Sequence, residues 1–314
     1  MKYIEQYRVP GLEKSPGVYG KSSSFRLHWD INTYCDKDCF YCYARKQLIW
    51  NRMSTKDTLD NILDQLRRMN KPLEVILLGG EPSLHPLYFY ILDELEKLSN
   101  LVGSAVISNA GRNVTTDWID GHSKYQKFWF NYTFHPSETS DINIEFLDKV
   151  KYTREKYENV LVNVMMIGPK WDTEIREVID TCNKYDICIR PNVLFNPHTC
   201  QEYMITNAVY KDWISQYIDS FERYLYFSSK SLRRGIPGEQ APDESIEVYN
   251  DIEVYLQELN NFTGWKCLNN NYAVEGSNNT NITRMCDKTQ SGEYMICPLK
   301  QCVCQGLLTN EKYK

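Results

Sequence analysis

The chain has 314 residues, 42% hydrophobic and 25% charged, with a formal net charge of -5 at pH 7. These are the proportions of a soluble globular protein, one large α/β domain or a core plus a small module, and they exclude a disordered or collagenous chain. The acidic balance, with basic runs no longer than pairs such as Arg233-Arg234, disfavours a nucleic-acid partner, and no apolar stretch approaches bilayer-spanning length, so no membrane partner is expected.

Met1-Lys2-Tyr3-Ile4-Glu5-Gln6 lacks the apolar run of a signal peptide, so a cytoplasmic location is expected. In a reducing compartment, 11 cysteines argue for metal or cluster ligation rather than a disulfide framework.

Residues 1–23, with Pro10-Gly11 and Pro16-Gly17 turns, read as an N-terminal extension. Strand-like and helix-like segments then alternate. Phe25–Ile31 predicts a first strand, ending in the loop Cys35-Asp36-Lys37-Asp38-Cys39-Phe40-Tyr41-Cys42. From Asp57, residues Leu59, Ile62, Leu63, Leu66 and Met69 share one helical face. Glu74–Leu78 is a short buried strand ending in Gly79-Gly80-Glu81-Pro82, and Pro86–Leu98 a helix. Val102–Ile107 leads into Ser108-Asn109-Ala110-Gly111, a helix around Thr116–His122 follows, and Phe128–Phe134 ends at His135-Pro136-Ser137. Helix Ile144–Tyr157, strand Val160–Ile167, helix Thr173–Tyr185 and strand Ile187–Phe195 complete the series. Such alternation predicts an α/β fold with a parallel sheet, and residues 24–200 as one domain. The unusual residues fall after the C-terminal ends of strands, where parallel α/β barrels carry their chemistry.

Residues 201–263 read as a helical connector broken at Gly235-Ile236-Pro237-Gly238. Residues 264–314 are dense in cysteine and read as a second small domain, with Cys267 and Cys286 spaced as in a β-hairpin.

Three thiols in a C-x3-C-x2-C arrangement cannot enclose a tetrahedral metal alone, but they can hold three corners of a cubane 4Fe–4S cluster. The fourth iron is then open to a small molecule. The alternative makes Cys39 and Cys42 half of a zinc ribbon, and the whole chain a non-catalytic zinc- or cluster-binding scaffold. The spacing, the aromatic Tyr41 before the last thiol and the downstream Gly79-Gly80-Glu81-Pro82 together resemble the radical S-adenosylmethionine (radical SAM) superfamily.

That resemblance implies a partial (β/α)6 TIM-like barrel and a 4Fe–4S cluster on Cys35, Cys39 and Cys42 with S-adenosylmethionine on its open iron. Gly79, Gly80, Glu81 and Pro82 would receive the methionyl ammonium, the glycines allowing close approach and Glu81 supplying an acceptor. Ser108 and Asn109 would meet the ribose or carboxylate, with Asn163 and the Tyr41 backbone as further cofactor contacts; an ordinary turn also accounts for Ser108–Gly111. The implied activity is reductive cleavage to a 5′-deoxyadenosyl radical that abstracts a substrate hydrogen, with flavodoxin or ferredoxin as electron donor.

The tail, with Cys267, Cys286, Cys297, Cys302 and Cys304, is similar to the twitch form of the SPASM/twitch auxiliary-cluster domain, which implies a second auxiliary 4Fe–4S cluster. Cys267, Cys286, Cys302 and Cys304 are the preferred ligands, Cys297 is the substitute, and structural zinc is the alternative. The expected reaction is an oxidoreductase or epimerase step on a small-molecule substrate such as a sugar, an aminocyclitol or a nucleoside. A peptide or protein side chain is the rival substrate. Cys200 would be the hydrogen donor of an epimerase. His135 and Arg190 are read evenly as structural or substrate-facing, and Cys182 and Cys188 as core residues.

Overall fold

The computed structural model describes residues 25–39, 41–42, 52–137, 140–193, 208–217 and 220, and shorter pieces at 232–233, 246–247, 266–267, 271–274, 280–284, 295–296 and 312–313.

Six strands and their crossover helices follow one another: β1 (Phe25–Asn32), α1 (Lys56–Arg67), β2 (Leu73–Gly79), α2 (Tyr88–Glu96), β3 (Leu101–Ser108), α3 (Thr116–Asp120), β4 (Phe128–Phe134), α4 (Ser140–Lys156), β5 (Val160–Met166), α5 (Asp172–Lys184) and β6 (Cys188–Val193). The strands pair in sequence order, each parallel to the last, in an open sheet of the partial TIM-like barrel type. Local chemistry explains the element starts. Thr55 caps α1 by accepting the Thr58 N–H, and Thr115 does the same for α3 through Trp118. Leu59, Ile62, Leu63 and Leu66 form the buried stripe of α1, as their helical spacing predicts.

The two faces of the sheet differ. Leu27, Trp29, Ile31, Val75 and Leu77 are buried under the helices. On β4, Phe130 meets Trp118 and Tyr157, and Phe134 meets Phe146, so this face is covered by α3 and α4. Side chains alternate along a strand, so Asn131 and Thr133 take the other face. The register sets Thr133 beside Asn163 and Asn163 beside Arg190 on that inner face, with Met165 beside Asn192 one step further along. His28, Asp30, Arg190 and Asn192 are only half-buried there, between fully buried neighbours. The inner face is therefore polar where the outer face is apolar.

At the other edge lies a strand whose pairing with β1 the linear pattern did not predict. β7 (Leu232–Arg233), β8 (Ile246–Glu247), β9 (Lys266–Cys267), β10 (Asn271–Val274), β11 (Thr283–Arg284), β12 (Met295–Ile296) and β13 (Lys312–Tyr313) follow a helix α6 (Ala208–Ser215). β10 pairs parallel to β1, Arg26 opposite Asn271 and Trp29 opposite Val274, and β11 pairs antiparallel to β10. The hairpin expected between Cys267 and Cys286 thus extends the main sheet. The connector follows its helical reading at Ala208–Ser215 and differs from it further on, where β7 and β8, on either side of Gly235–Gly238 in sequence, pair antiparallel. The remaining short strands form a second sheet in the order β12-β9-β13-β7-β8.

Candidate active site

The cysteine loop leaves β1 at its C-terminal end and is sewn to the end of β2 by backbone bonds. Gly80 N–H donates to Asn32 O at 2.9 Å and Glu81 N–H to Tyr34 O at 2.7 Å, while the Asn32 amide donates to Glu81 O at 2.9 Å. A Cβ on Gly80 would stand 2.1 Å from Tyr34 O, and one on Gly79, whose φ is +141°, 2.1 Å from Asn32 O. Only glycine lets these two backbones approach so closely.

Glu81 is fully buried, and its carboxylate is taken up by donors of the chain. It accepts from Ser83 N–H at 3.0 Å, Ser108 Oγ–H at 2.8 Å and Asn109 N–H at 2.7 Å. Burial raises its pKa against the lowering effect of these donors. Pro82 begins the 3₁₀ turn Pro82–Leu84 that follows. The expected site residues of β2 and β3 are thereby joined: Gly79, Gly80, Glu81, Pro82, Ser108 and Asn109 form one continuous wall.

Asn109 connects that wall to the cysteines. Its amide Nδ2 donates to Asp36 Oδ1 at 3.0 Å and lies 3.5 Å from Cys35 Sγ, and its Oδ1 is buried with no partner among the described residues. Asp36 also accepts from Arg112 N–H at 3.3 Å. Lys149 of α4 pins the same turn, donating to Ala110 O at 3.1 Å and Gly111 O at 2.7 Å. Asn32, Asp36 and Lys149 were not foreseen as site residues. Asp36 lies inside the motif, which was the one available signal, whereas Lys149 carries none.

On the opposite flank, His135 Nδ1 is 2.6 Å from the Tyr41 hydroxyl and 3.6 Å from Cys39 Sγ. Burial, with the charge of Lys37, drives the His135 pKa down to about 3, so the ring is neutral at pH 7. Asn163 stands deeper on the inner face. Its Nδ2 donates to Asn131 Oδ1 at 2.5 Å and to Thr133 Oγ1 at 3.4 Å, and its Oδ1 is buried with no partner among the described residues.

Cys35, Cys39 and Cys42 are half-buried and form no disulfide. Burial pushes the Cys35 thiol up to about 12 and raises Cys39 as well. As bare thiolates they are poorly supported, a deficit that bound iron offsets, because a coordinating thiol is deprotonated outright. Among the described residues no three His, Cys, Asp or Glu side chains converge on a single ion. A cubane asks for no such convergence, since each thiolate takes a different iron. Three soft donors, an adjoining glycine-lined strand end and the Asn109 and Asn163 acceptors, unpartnered among the described residues, fit a cluster with a polar ligand beside it.

Residues 29–182 match the family description "Radical SAM superfamily". The chain carries a radical SAM domain. Over 134 residues, 40% of this chain, it is 28% identical to L-lysine 2,3-aminomutase of Methanococcus maripaludis, and the match spans 31% of that protein. Solved structures share the fold. SuiB of Streptococcus suis, bound to the precursor peptide SuiA, superposes with a TM-score of 0.50 at 17% identity, covering 64% of this chain and 47% of that one. The structure of anSMEcpe with AdoMet and the Kp18Cys peptide gives a TM-score of 0.50 at 14% identity, covering 62% and 59%.

The radical SAM match stops at Cys182. Cys267 lies on β9, while Cys200, Cys286, Cys297, Cys302 and Cys304 lie outside the described residues. Cys182 and Cys188 are buried core residues. No helix among the described residues is long and apolar enough to cross a membrane.

Proposed function

We propose that this protein is a radical SAM enzyme in which Cys35, Cys39 and Cys42 hold a 4Fe–4S cluster and S-adenosylmethionine lies against the wall from Gly79 to Asn109. The close packing of Gly79-Gly80 on the cysteine loop carries the reading, because it brings the expected ligand-binding turn to the expected cluster loop. When bound, the cluster and S-adenosylmethionine supply one-electron cleavage of a carbon–sulfur bond and hydrogen-atom abstraction from substrate.

The chain's own residues bind and orient. Gly79, Gly80 and Pro82 keep the wall free of bulk, and Glu81 holds Ser108 and Asn109 in place rather than lying open itself. The Asn109 and Asn163 acceptors and the Tyr41 backbone complete the cofactor contacts. The substrate occupies the inner face by Asn131, Thr133, Arg190 and Asn192. Their amides and hydroxyl match a hydroxyl-rich small molecule such as a sugar, an aminocyclitol or a nucleoside, undergoing dehydrogenation or epimerisation.

A second reading, an amino acid or peptide substrate, is favoured by the Arg190 guanidinium, which suits a carboxylate, and by the similarity to L-lysine 2,3-aminomutase. In either case a flavodoxin or ferredoxin supplies the electron in the cytoplasm. Four of Cys267, Cys286, Cys297, Cys302 and Cys304 hold a twitch-type auxiliary cluster that accepts the substrate electron in a dehydrogenation. Cys200 would instead return a hydrogen atom in an epimerisation.

The test is 5′-deoxyadenosine formation by the anaerobically reconstituted chain with dithionite and S-adenosylmethionine. Wild type is expected to form it, and the triple variant Cys35→Ala, Cys39→Ala, Cys42→Ala to lose it. Undiminished formation in the triple variant overturns the site.

A further inference from the structure

The turn that presents Asn109 is strained. Ala110 has a φ of +51°, in the left-handed region where the Cβ of an L-residue crowds the following carbonyl oxygen, and its methyl is buried in the core. The glycine beside it serves space instead. A Cβ on Gly111 would stand 2.2 Å from Asp36 Oδ2 and 2.7 Å from Asn109 Oδ1. A residue other than glycine persists in such a conformation only where its surroundings over-determine it.

Inside the turn, the Ala110 N–H donates to Ser108 Oγ at 3.1 Å. From outside the turn, α4 holds it. Lys149 Nζ donates to Ala110 O at 3.1 Å and to Gly111 O at 2.7 Å, and to Glu145 Oε1, one helical turn earlier, at 2.6 Å. These three bonds take all three hydrogens of the ammonium, and the Lys149 side chain is only 14% exposed.

We propose that Lys149 is a positioning residue for S-adenosylmethionine, locking Ala110 in its left-handed conformation and thereby fixing the Asn109 side chain beside Cys35; this rests on the cofactor reading above. Ala110 follows Asn109 directly, so a return of Ala110 to negative φ swings Asn109 away from its place. The Asn109 amide then leaves Asp36 and Cys35, and the Oδ1 that serves the cofactor leaves with it. Lys149 itself touches neither the cysteines nor the glycine pair; its effect passes through the turn. Glycine adopts the left-handed conformation without the steric cost, so Ala110→Gly makes the turn independent of the lysine. The need for Lys149 is thus set by the side chain at position 110.

The experiment is isothermal titration of S-adenosylmethionine into the anaerobically reconstituted full chain, with Lys149→Met made both in the wild-type chain and in the Ala110→Gly chain. In the wild-type chain the substitution is expected to weaken affinity about tenfold, as for a lost hydrogen bond from a charged donor, with iron retained. In the Ala110→Gly chain the same substitution is expected to weaken it less than about threefold. A lysine that only stabilised the fold would lower the unfolding midpoint in both chains and leave the affinity of the folded protein unchanged. Should Lys149→Met not fold, Lys149→Gln, which keeps a shorter neutral donor, takes its place, with a loss of about threefold expected in the wild-type chain and none in Ala110→Gly. Affinity equal to wild type, or an equal loss in both chains, overturns this inference alone. A wild-type chain that binds no iron or no S-adenosylmethionine overturns the cofactor reading and this inference with it.

Discussion

The Glu81 carboxylate accepts the Asn109 backbone N–H at 2.7 Å and so ties the end of β2 to the end of β3. With Ser83 and Ser108 also donating, a charged group without solvent access becomes the brace of the wall. Such a group is tolerated in the interior only when its lone pairs are satisfied. The cysteine loop depends on it at one remove, because Asn109 passes the constraint to Asp36.

Glu81→Gln is expected to destabilise the chain by about 1.5–3 kcal/mol, the cost of a lost hydrogen bond to a charged group. However the amide is turned, its NH₂ faces a donor, either Asn109 N–H or the Ser83 and Ser108 donors. The denaturant midpoint reports this, and isothermal titration is expected to show S-adenosylmethionine affinity down tenfold or more at about 1.4 kcal/mol per decade. Asn109→Ala is expected to weaken the same affinity without loss of iron. Unchanged affinity in both variants would place the polar contacts elsewhere.

Gly80→Ala is expected to release iron from the cysteine loop while circular dichroism retains the α/β signature. The added methyl would overlap a backbone oxygen, Tyr34 O at 2.1 Å, so the loop itself must move and the Glu81 N–H bond to that oxygen goes with it. Gly168→Ala is a control for space, since nothing among the described residues lies within 4 Å of its Cβ position, although its φ of +137° adds strain there. Equal iron content in Gly80→Ala and wild type would refute the close-approach argument.

Stability is expected to fall on acidification between pH 6.5 and about 4, in part through His122. Burial lowers its pKa to about 4, and it bonds to the Tyr88 hydroxyl at 2.9 Å and to Trp118 O at 2.8 Å. The native state therefore refuses a proton that the unfolded chain takes up below pH 6.5, and stability rises with pH across that window. The contribution approaches about 1.4 kcal/mol per pH unit, and His122→Gln is expected to flatten the curve by up to that slope. A slope identical to wild type would remove His122 as the cause.

Anaerobic reconstitution is expected to yield about eight irons per chain, one cubane at Cys35, Cys39 and Cys42 and a second in the tail. The front triple-alanine variant is expected to keep about four. Four irons with one zinc in the wild type would assign the tail thiols to a structural metal instead.

Much of the fold was legible in the chain. Helical spacing in Leu59, Ile62, Leu63 and Leu66 and short apolar runs such as Phe128–Phe134 carry their own periodicity, and observed boundaries lie within a few residues of those expected. The edge strand β10 was not legible, because a strand of four residues has too little pattern to state its partner. The helical reading beyond Ala208 holds over Ala208–Ser215 and departs from the structure at β7 and β8 for a related reason: isolated apolar residues near a Gly-Pro break suit a short helix and a pair of short strands equally.

The sequence by itself determined the composition of the site: three thiols at fixed spacing, a glycine pair after the second strand and polar residues after the third. Each is a local requirement, for ligand type, for backbone approach or for a turn, and local requirements are written locally. The tertiary structure alone decided which of these groups meet. It turned Glu81 inward as a brace, set Asn109 on Cys35 and brought His135 onto Cys39 and Tyr41. Those contacts join strand ends far apart in the chain. Their geometry follows from the register and stagger of parallel strands, which no single segment encodes.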